Sequence, residues 1–120
     1  MSRILIIEDD PYVRRFYEKL FRLSKYKVKT ARGGEEGLAK AKAIHPELIL
    51  LDIMMPKING LEVLQRLKSD PATSDCKVVM LTVLEDKETA RKAASLGADG
   101  YIIKSSAPPE ELISIVSKYL

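Results

Sequence analysis

Five short strand-like segments, separated by stretches of helical period, constrain this chain more than any other feature. Apolar runs occupy residues 4–7, 48–51, 78–81 and 101–103. None alternates cleanly between apolar and polar positions, which suits strands buried on both faces of a parallel sheet. A fifth segment, Lys25-Tyr26-Lys27-Val28-Lys29-Thr30, alternates lysine with β-formers. Lysines in that register mark an edge strand, because they oppose pairing with a second sheet.

Each gap carries a helical pattern. Asp10-Pro11 offers an N-cap and a first-turn proline, and Val13, Phe16, Leu20 and Leu23 make one stripe. Residues 35–44 spell a second helix, weakened by Gly37, and Leu61, Leu64 and Leu67 mark a third that starts at Asn59-Gly60. Asp86 caps a fourth, whose face of Ala90, Ala93 and Ala94 packs closely before Gly97 ends it. Pro108-Pro109-Glu110-Glu111 opens a fifth, with Leu112, Ile115, Val116 and Tyr119 at core spacing. The alternation predicts an α/β fold: a doubly wound (βα)5 domain with a five-stranded parallel sheet in the order 2-1-3-4-5. Ligands bind such sheets beyond the carboxyl ends of the strands, near the switch point between strands 1 and 3.

The 120 residues suffice for one domain with a core, and residues 1–120 are expected to form it without an output domain. No apolar run approaches the roughly 20 residues of a membrane helix. Met1-Ser2-Arg3 leads directly into a strand-like run, with no signal-peptide pattern. Cys76 is the one cysteine, so no internal disulfide forms, and a cytoplasmic protein is expected. Residues 1–32 hold nine Lys/Arg against Glu8, Asp9, Asp10 and Glu18, while the remainder sums to minus two. That excess reads as a solvated basic face or a docking surface for an acidic protein. No aromatic interleaving or reading helix accompanies it, so direct nucleic-acid binding is not expected.

The polar residues at the carboxyl ends of the strands carry the chemistry. Strand 1 ends in Glu8-Asp9-Asp10, strand 3 in Asp52, strand 4 in Thr82 and strand 5 in Lys104. Singly these are ordinary: Asp52 could cap a turn, Asp10 a helix, and Thr82 and Lys104 are common at such places. Together they gather on one rim. Glu8, Asp9 and Asp52 form a carboxylate cluster that either raises a pKa or recruits a cation. A hard divalent ion with oxygen ligands, Mg²⁺ above all, is the economical partner. A phosphoryl group would be held by that metal, the Lys104 ammonium and the Thr82 hydroxyl, which supply the charge neutralisation and positioning of phosphoryl transfer.

These residues resemble a known signature. Ile4-Leu5-Ile6-Ile7-Glu8-Asp9-Asp10-Pro11, Leu50-Leu51-Asp52-Ile53-Met54-Met55-Pro56, Asn59-Gly60, Leu81-Thr82 and Tyr101-Ile102-Ile103-Lys104 are similar to the response-regulator receiver domain of two-component signalling, in order and across nearly the whole chain. The resemblance implies a phosphoacceptor switch, not an enzyme with a separate substrate. A histidine kinase or phosphotransfer protein would phosphorylate Asp52 with Mg²⁺ or Mn²⁺, and a face of the fourth helix, fifth strand and fifth helix would control a downstream protein. It further implies that Asp9 binds metal directly, Glu8 through water and Met54 by its backbone carbonyl. Thr82 and Tyr101 become the switch pair, and Lys104 the phosphate-binding lysine. Three positions depart from the family pattern: Glu8 replaces the more frequent aspartate, Val83 a small alanine, and Ser105 a proline. With Ser105, a cis bond would cost about 2.5–4 kcal/mol, so a trans Lys104–Ser105 bond is expected. Val83 and Leu84 are expected to crowd the approach of water to Asp52.

Other classes fit less well. A haloacid-dehalogenase-like phosphatase needs a second aspartate two residues on as general acid and base, where Met54 stands. A flavodoxin-like FMN carrier needs a phosphate cradle after strand 1, where Glu8-Asp9-Asp10 would repel it. A phosphorylation-independent interaction module would not require Asp52, Thr82 and Lys104 together. Met54-Met55 reads as strand-end packing, His45 as a helix-end residue without a ligand partner nearby in sequence, and Cys76 as a thiol disfavoured from ionising by Asp75. None of these is assigned a catalytic role.

Overall fold

The structure, a computed structural model, describes residues 3–120; Met1 and Ser2, where the signal-peptide reading begins, lie outside the described residues. Strands and helices alternate from end to end: β1 (Arg3–Ile7), α1 (Pro11–Leu23), β2 (Lys27–Ala31), α2 (Gly34–Ile44), β3 (Leu48–Leu51), α3 (Gly60–Ser69), β4 (Lys77–Thr82), α4 (Lys87–Ser95), β5 (Gly100–Ile103) and α5 (Pro109–Ser117), with one 3-10 turn at Lys104–Ser106. The five strands form one parallel sheet in the order β2-β1-β3-β4-β5. The expected fold and strand order are those observed. Lysine marks the edge strand correctly, since Lys27 and Lys29 face water while Val28 is buried.

The sheet splits the core into two layers. On one side Leu5, Ile7, Ile49, Leu51, Val78 and Met80 meet Val63, Leu64, Leu67 and Ala93 from α3 and α4. On the other, Ile4, Ile6, Leu48, Leu50, Val79, Leu81 and Ile102 meet Tyr17 and Phe21 of α1 and Leu112 and Val116 of α5. Burying each such side chain contributes about 1.5–3 kcal/mol. The alternation of the strands' side chains between the two layers is why their apolar runs show no polar interval.

Two helix faces differ from the sequence reading. The α1 stripe is turned by about 100°, one residue of helix: Tyr17 and Phe21 are buried, whereas Phe16 and Leu23 are 52% and 73% exposed. An aromatic ring with a polar tip can fill the core and still reach the rim with its hydroxyl, which a search for wholly apolar residues overlooks. On α4 only Ala93 is buried, with Ala94 in water. Gly37, expected to weaken α2, instead permits its contact with β1, since a Cβ there would lie 2.5 Å from Ile7 Cδ1. Caps at Asp10, Asn59 and Asp86 form as expected, each side chain accepting backbone N–H groups of the first turn.

Candidate functional site: an acidic pocket closed by Lys104

The first wall of the site is the exit from β1. Glu8, which is buried, and half-buried Asp9 come directly after the last strand residue. Asp10 turns the chain into α1 by accepting Tyr12 N–H at 2.9 Å and Val13 N–H at 3.1 Å. Arg14 reaches back from the first turn of α1, donating from Nη1 to the carbonyls of Glu8 (3.0 Å) and Asp9 (3.2 Å). The acidic segment is thus held largely by its backbone, and the Glu8 and Asp9 carboxylates converge on Asp52 while that of Asp10 caps the helix.

Asp52 stands at the adjacent exit from β3. Its N–H donates to Ile7 O at 3.1 Å, so the β1–β3 ladder places it directly beside Glu8. Its Oδ1 accepts Ile53 N–H at 2.8 Å. The loop then folds back on itself: Gly60 N–H donates to Ile53 O at 2.8 Å, and a Cβ on Gly60 would come within 2.0 Å of Asp52 O. Only glycine allows that approach, which explains in physical terms why Asn59-Gly60 begins α3 here. Met55 is buried and Met54 is 57% exposed, so only half of the Met54-Met55 pair packs as expected.

Glu8, Asp9 and Asp52 offer carboxylate oxygens that all lie within 4.8 Å of one another. Lys104 closes the group, with Nζ 2.5 Å from Glu8 Oε1 and 3.6 Å from Asp52 Oδ2. Burial pushes the Glu8 carboxyl above its ordinary range; Lys104 opposes that rise and the Asp52 charge reinforces it. Burial pulls the Lys104 ammonium down, but the hydrogen bond to Glu8 and the charges of Asp52 and Glu8 outweigh it and hold its pKa high. Three carboxyl groups thus share the Lys104 ammonium. Hard oxygen donors that close together match the chemistry of a divalent ion such as Mg²⁺.

Thr82 ends β4 fully buried, opposite Ile103 and next to the residue that precedes Lys104 in the strand pairing. Its Oγ1 accepts Leu84 N–H at 3.3 Å. Tyr101 on β5 packs into the α2–α4 layer and donates its hydroxyl to Leu84 O at 2.9 Å. Thr82 and Tyr101 thus both grip Leu84, which packs partly buried against the α2–α4 layer. Val83 remains 55% exposed and lines a depression with Tyr12, Phe16 and Lys104. No peptide bond among the described residues is cis, so Lys104–Ser105 is trans as expected.

Two contributors to the site were not singled out from the sequence: Arg14 looked like any helix cation, and Tyr17 lay off the assumed stripe although its i,i+4 spacing to Val13 was visible. Outside the site, His45 has no partner nearby in sequence but meets one in space. Its Nε2 lies 3.0 Å from Asp75 Oδ1, thirty residues along the chain.

Fold and site together define a doubly wound α/β switch protein with its acidic pocket at the β1–β3 switch point. Residues 4–117 match the response regulator receiver domain. The chain belongs to that family, the regulatory phosphoacceptor domain of two-component signalling. It is 41% identical over 109 residues to a probable transcriptional regulator ycf27 of Porphyridium aerugineum, covering 91% of this chain and 44% of that protein. Its identity to the DNA-binding dual master transcriptional regulator RpaA of Synechocystis is 40%, covering 87% of this chain and 43% of RpaA. The chain thus spans less than half the length of these curated relatives. Among solved structures, the Vibrio cholerae chemotaxis protein CheY4 superposes with a TM-score of 0.93 at 27% identity, covering 100% of this chain and 99% of CheY4. The Thermotoga maritima response regulator TrrA, in complex with Mg²⁺-BeF, superposes at 0.88 with 33% identity over the whole of both chains. Receiver domains bind Mg²⁺ at an acidic site, and no helix among the described residues is long and apolar enough to cross a membrane.

Proposed function

We propose that Asp52 accepts a phosphoryl group from the phosphohistidine of a histidine kinase or phosphotransfer protein in the cytoplasm, and that the α4–β5–α5 face then controls a downstream protein. The observation that carries this reading is the buried carboxylate cluster at the β1–β3 switch point, closed by a single ammonium. Asp9, Asp52 and the Met54 carbonyl would hold Mg²⁺ or Mn²⁺, with Glu8 acting through water. The cation supplies charge neutralisation for the incoming phosphoryl group.

The chain's own residues do the rest. The Asp52 carboxylate forms the new P–O bond as the donor's P–N bond breaks, and the donor imidazole leaves with the bonding pair. Lys104 exchanges its bond to Glu8 for one to a phosphoryl oxygen, a short swing for a side chain already 3.6 Å from Asp52. Thr82 turns its hydroxyl to donate to another phosphoryl oxygen. That turn weakens its hold on Leu84 N–H, and Tyr101, bonded to the same residue's carbonyl, moves with the β4–α4 loop. The phosphoryl group so biases an equilibrium between two arrangements of the loop.

Incubation with acetyl phosphate and Mg²⁺ should add one phosphoryl mass to the intact chain. Asp52→Asn should add none, and Asp9→Asn should require far more Mg²⁺ for the same extent. An equal gain in Asp52→Asn removes the assignment.

A further inference from the structure

We infer that His45, Asp75 and Cys76 form a second metal site, of the zinc class, at the amino end of the sheet and independent of the phosphoacceptor pocket. One imidazole nitrogen, one carboxylate oxygen and the thiol sulfur of these residues all lie within 4.8 Å of one another. An exposed His–Asp ion pair accounts for the 3.0 Å contact between His45 Nε2 and Asp75 Oδ1. It does not account for a buried thiol converging on the same point. Nitrogen, sulfur and oxygen donors together select a borderline-soft ion over Mg²⁺.

The ligands arrive from two elements that the fold pins. His45 ends α2 in the left-handed region, with φ 46° and ψ 66°, a conformation uncommon for a side-chain-bearing residue. Its imidazole thereby meets the loop before β4. That loop is tied down by hydrogen bonds: Thr73 buries its hydroxyl against Leu67 O at 2.7 Å, Cys76 N–H donates to Thr73 O at 3.0 Å, and Lys68 Nζ donates to Cys76 O at 2.8 Å. Tetrahedral coordination with bonds of about 2.0–2.3 Å puts ligand atoms roughly 3.5 Å apart. Closing to that distance asks only small rotations of His45 and Asp75, whose side chains are 55% and 69% exposed. A cavity of about 270 Å³ adjoins all three residues and is also lined by Glu47, leaving room for a fourth ligand from Glu47 or water. Cys76 lies just before the β4 residue that pairs with Leu48, the opposite end of β3 from Asp52. Cys76 is level with residue 47, five strand steps from Asp52, and at about 3.3 Å per step the two sites are separated by roughly 16 Å.

Co²⁺ titration of the folded chain separates the two sites, because only a thiolate ligand produces a sulfur-to-cobalt charge-transfer band in the near ultraviolet. Asp9→Asn/Asp52→Asn, which disables the acidic pocket, should keep the band, and Zn²⁺ should displace it. Cys76→Ser should abolish it, and His45→Ala and Asp75→Ala should each weaken binding by about tenfold or more. Both of the latter positions are exposed, so those variants test the site even if Cys76→Ser fails to fold. Absence of the band in the folded chain overturns the inference. So does a band unchanged by both His45→Ala and Asp75→Ala, or one that survives in urea, which would show simple capture by an unfolded cysteine.

Discussion

Two glutamates of this molecule each face a lysine and titrate in opposite directions. Glu8, in the pocket between β1, β3 and β5, has a side chain only 5% exposed, and burial lifts its pKa despite Lys104 at 2.5 Å. Glu36, in the first turn of α2, has a side chain 34% exposed and bonds Lys40 at 3.1 Å. The backbone N–H of Arg32 reaches its Oε1 at 2.7 Å, and its pKa falls to about 2. A lysine at bonding distance therefore does not decide the charge state of a glutamate. For Glu8 burial is the largest influence and raises it; for Glu36 the backbone N–H of Arg32 is the largest and lowers it. Glu8 also accepts a backbone N–H, from Asp10 at 3.2 Å, but it is more deeply buried and divides Lys104 with Asp52.

The largest expected contrast comes from removing the two lysines. Lys104→Met leaves Glu8 and Asp52 facing each other without a cation in a buried place, which should cost about 3 kcal/mol of stability. Lys40→Met, which breaks a half-exposed pair and a bond to Thr30 O, should cost about 1 kcal/mol or less. Urea denaturation at neutral pH measures both. Equal losses would break the comparison, since burial would then not be what distinguishes the two pairs.

The pH dependence of stability is the next sharpest test. Because the folded-state pKa of Glu8 lies above its ordinary 4.5, the folded chain holds that proton where the unfolded chain has lost it. Its contribution is fully present below about pH 4.5 and is lost as pH rises through the raised value. Glu8→Gln should therefore flatten the stability profile on the alkaline side of 4.5 relative to the parent chain. A parallel profile would contradict the raised pKa.

The smallest effect belongs to Glu36, and its sign is reversed. With a folded pKa of about 2 against 4.5, its contribution is present above pH 4.5 and disappears as pH falls through about 2. Glu36→Gln should lower the melting temperature slightly at neutral pH, and the difference should shrink steadily as pH falls from 4.5 through about 2. A difference that does not shrink over that range would point to lost packing and not to charge.

The legibility of these features in sequence tracks the range of the forces behind them. Strand runs, caps and the Lys27/Lys29 edge depend on near neighbours, and all three matched the structure. So did the rim of Glu8, Asp9, Asp52 and Lys104, because parallel strands of known order must bring their carboxyl ends together. The α1 face was misjudged because Tyr17 serves both core and rim, and hydropathy weighs it as neither. The packing of Leu84 was not legible because Thr82 and Tyr101 bond its two backbone ends from different strands.

What the sequence determined by itself is periodic or local: five strands and five helices, their order in the sheet, and the identity of the groups at its carboxyl rim. Those arise from side-chain period, capping and the handedness of parallel crossovers, each set within a few residues or by a general rule of chain geometry. Only the tertiary structure decided that Lys104 bonds Glu8 more closely than Asp52, that Leu84 joins Thr82 and Tyr101, and that His45 meets Asp75 and Cys76. Each of these depends on distances between segments tens of residues apart and on how much water remains between them, and burial and separation are properties of the packed chain, not of any stretch of it.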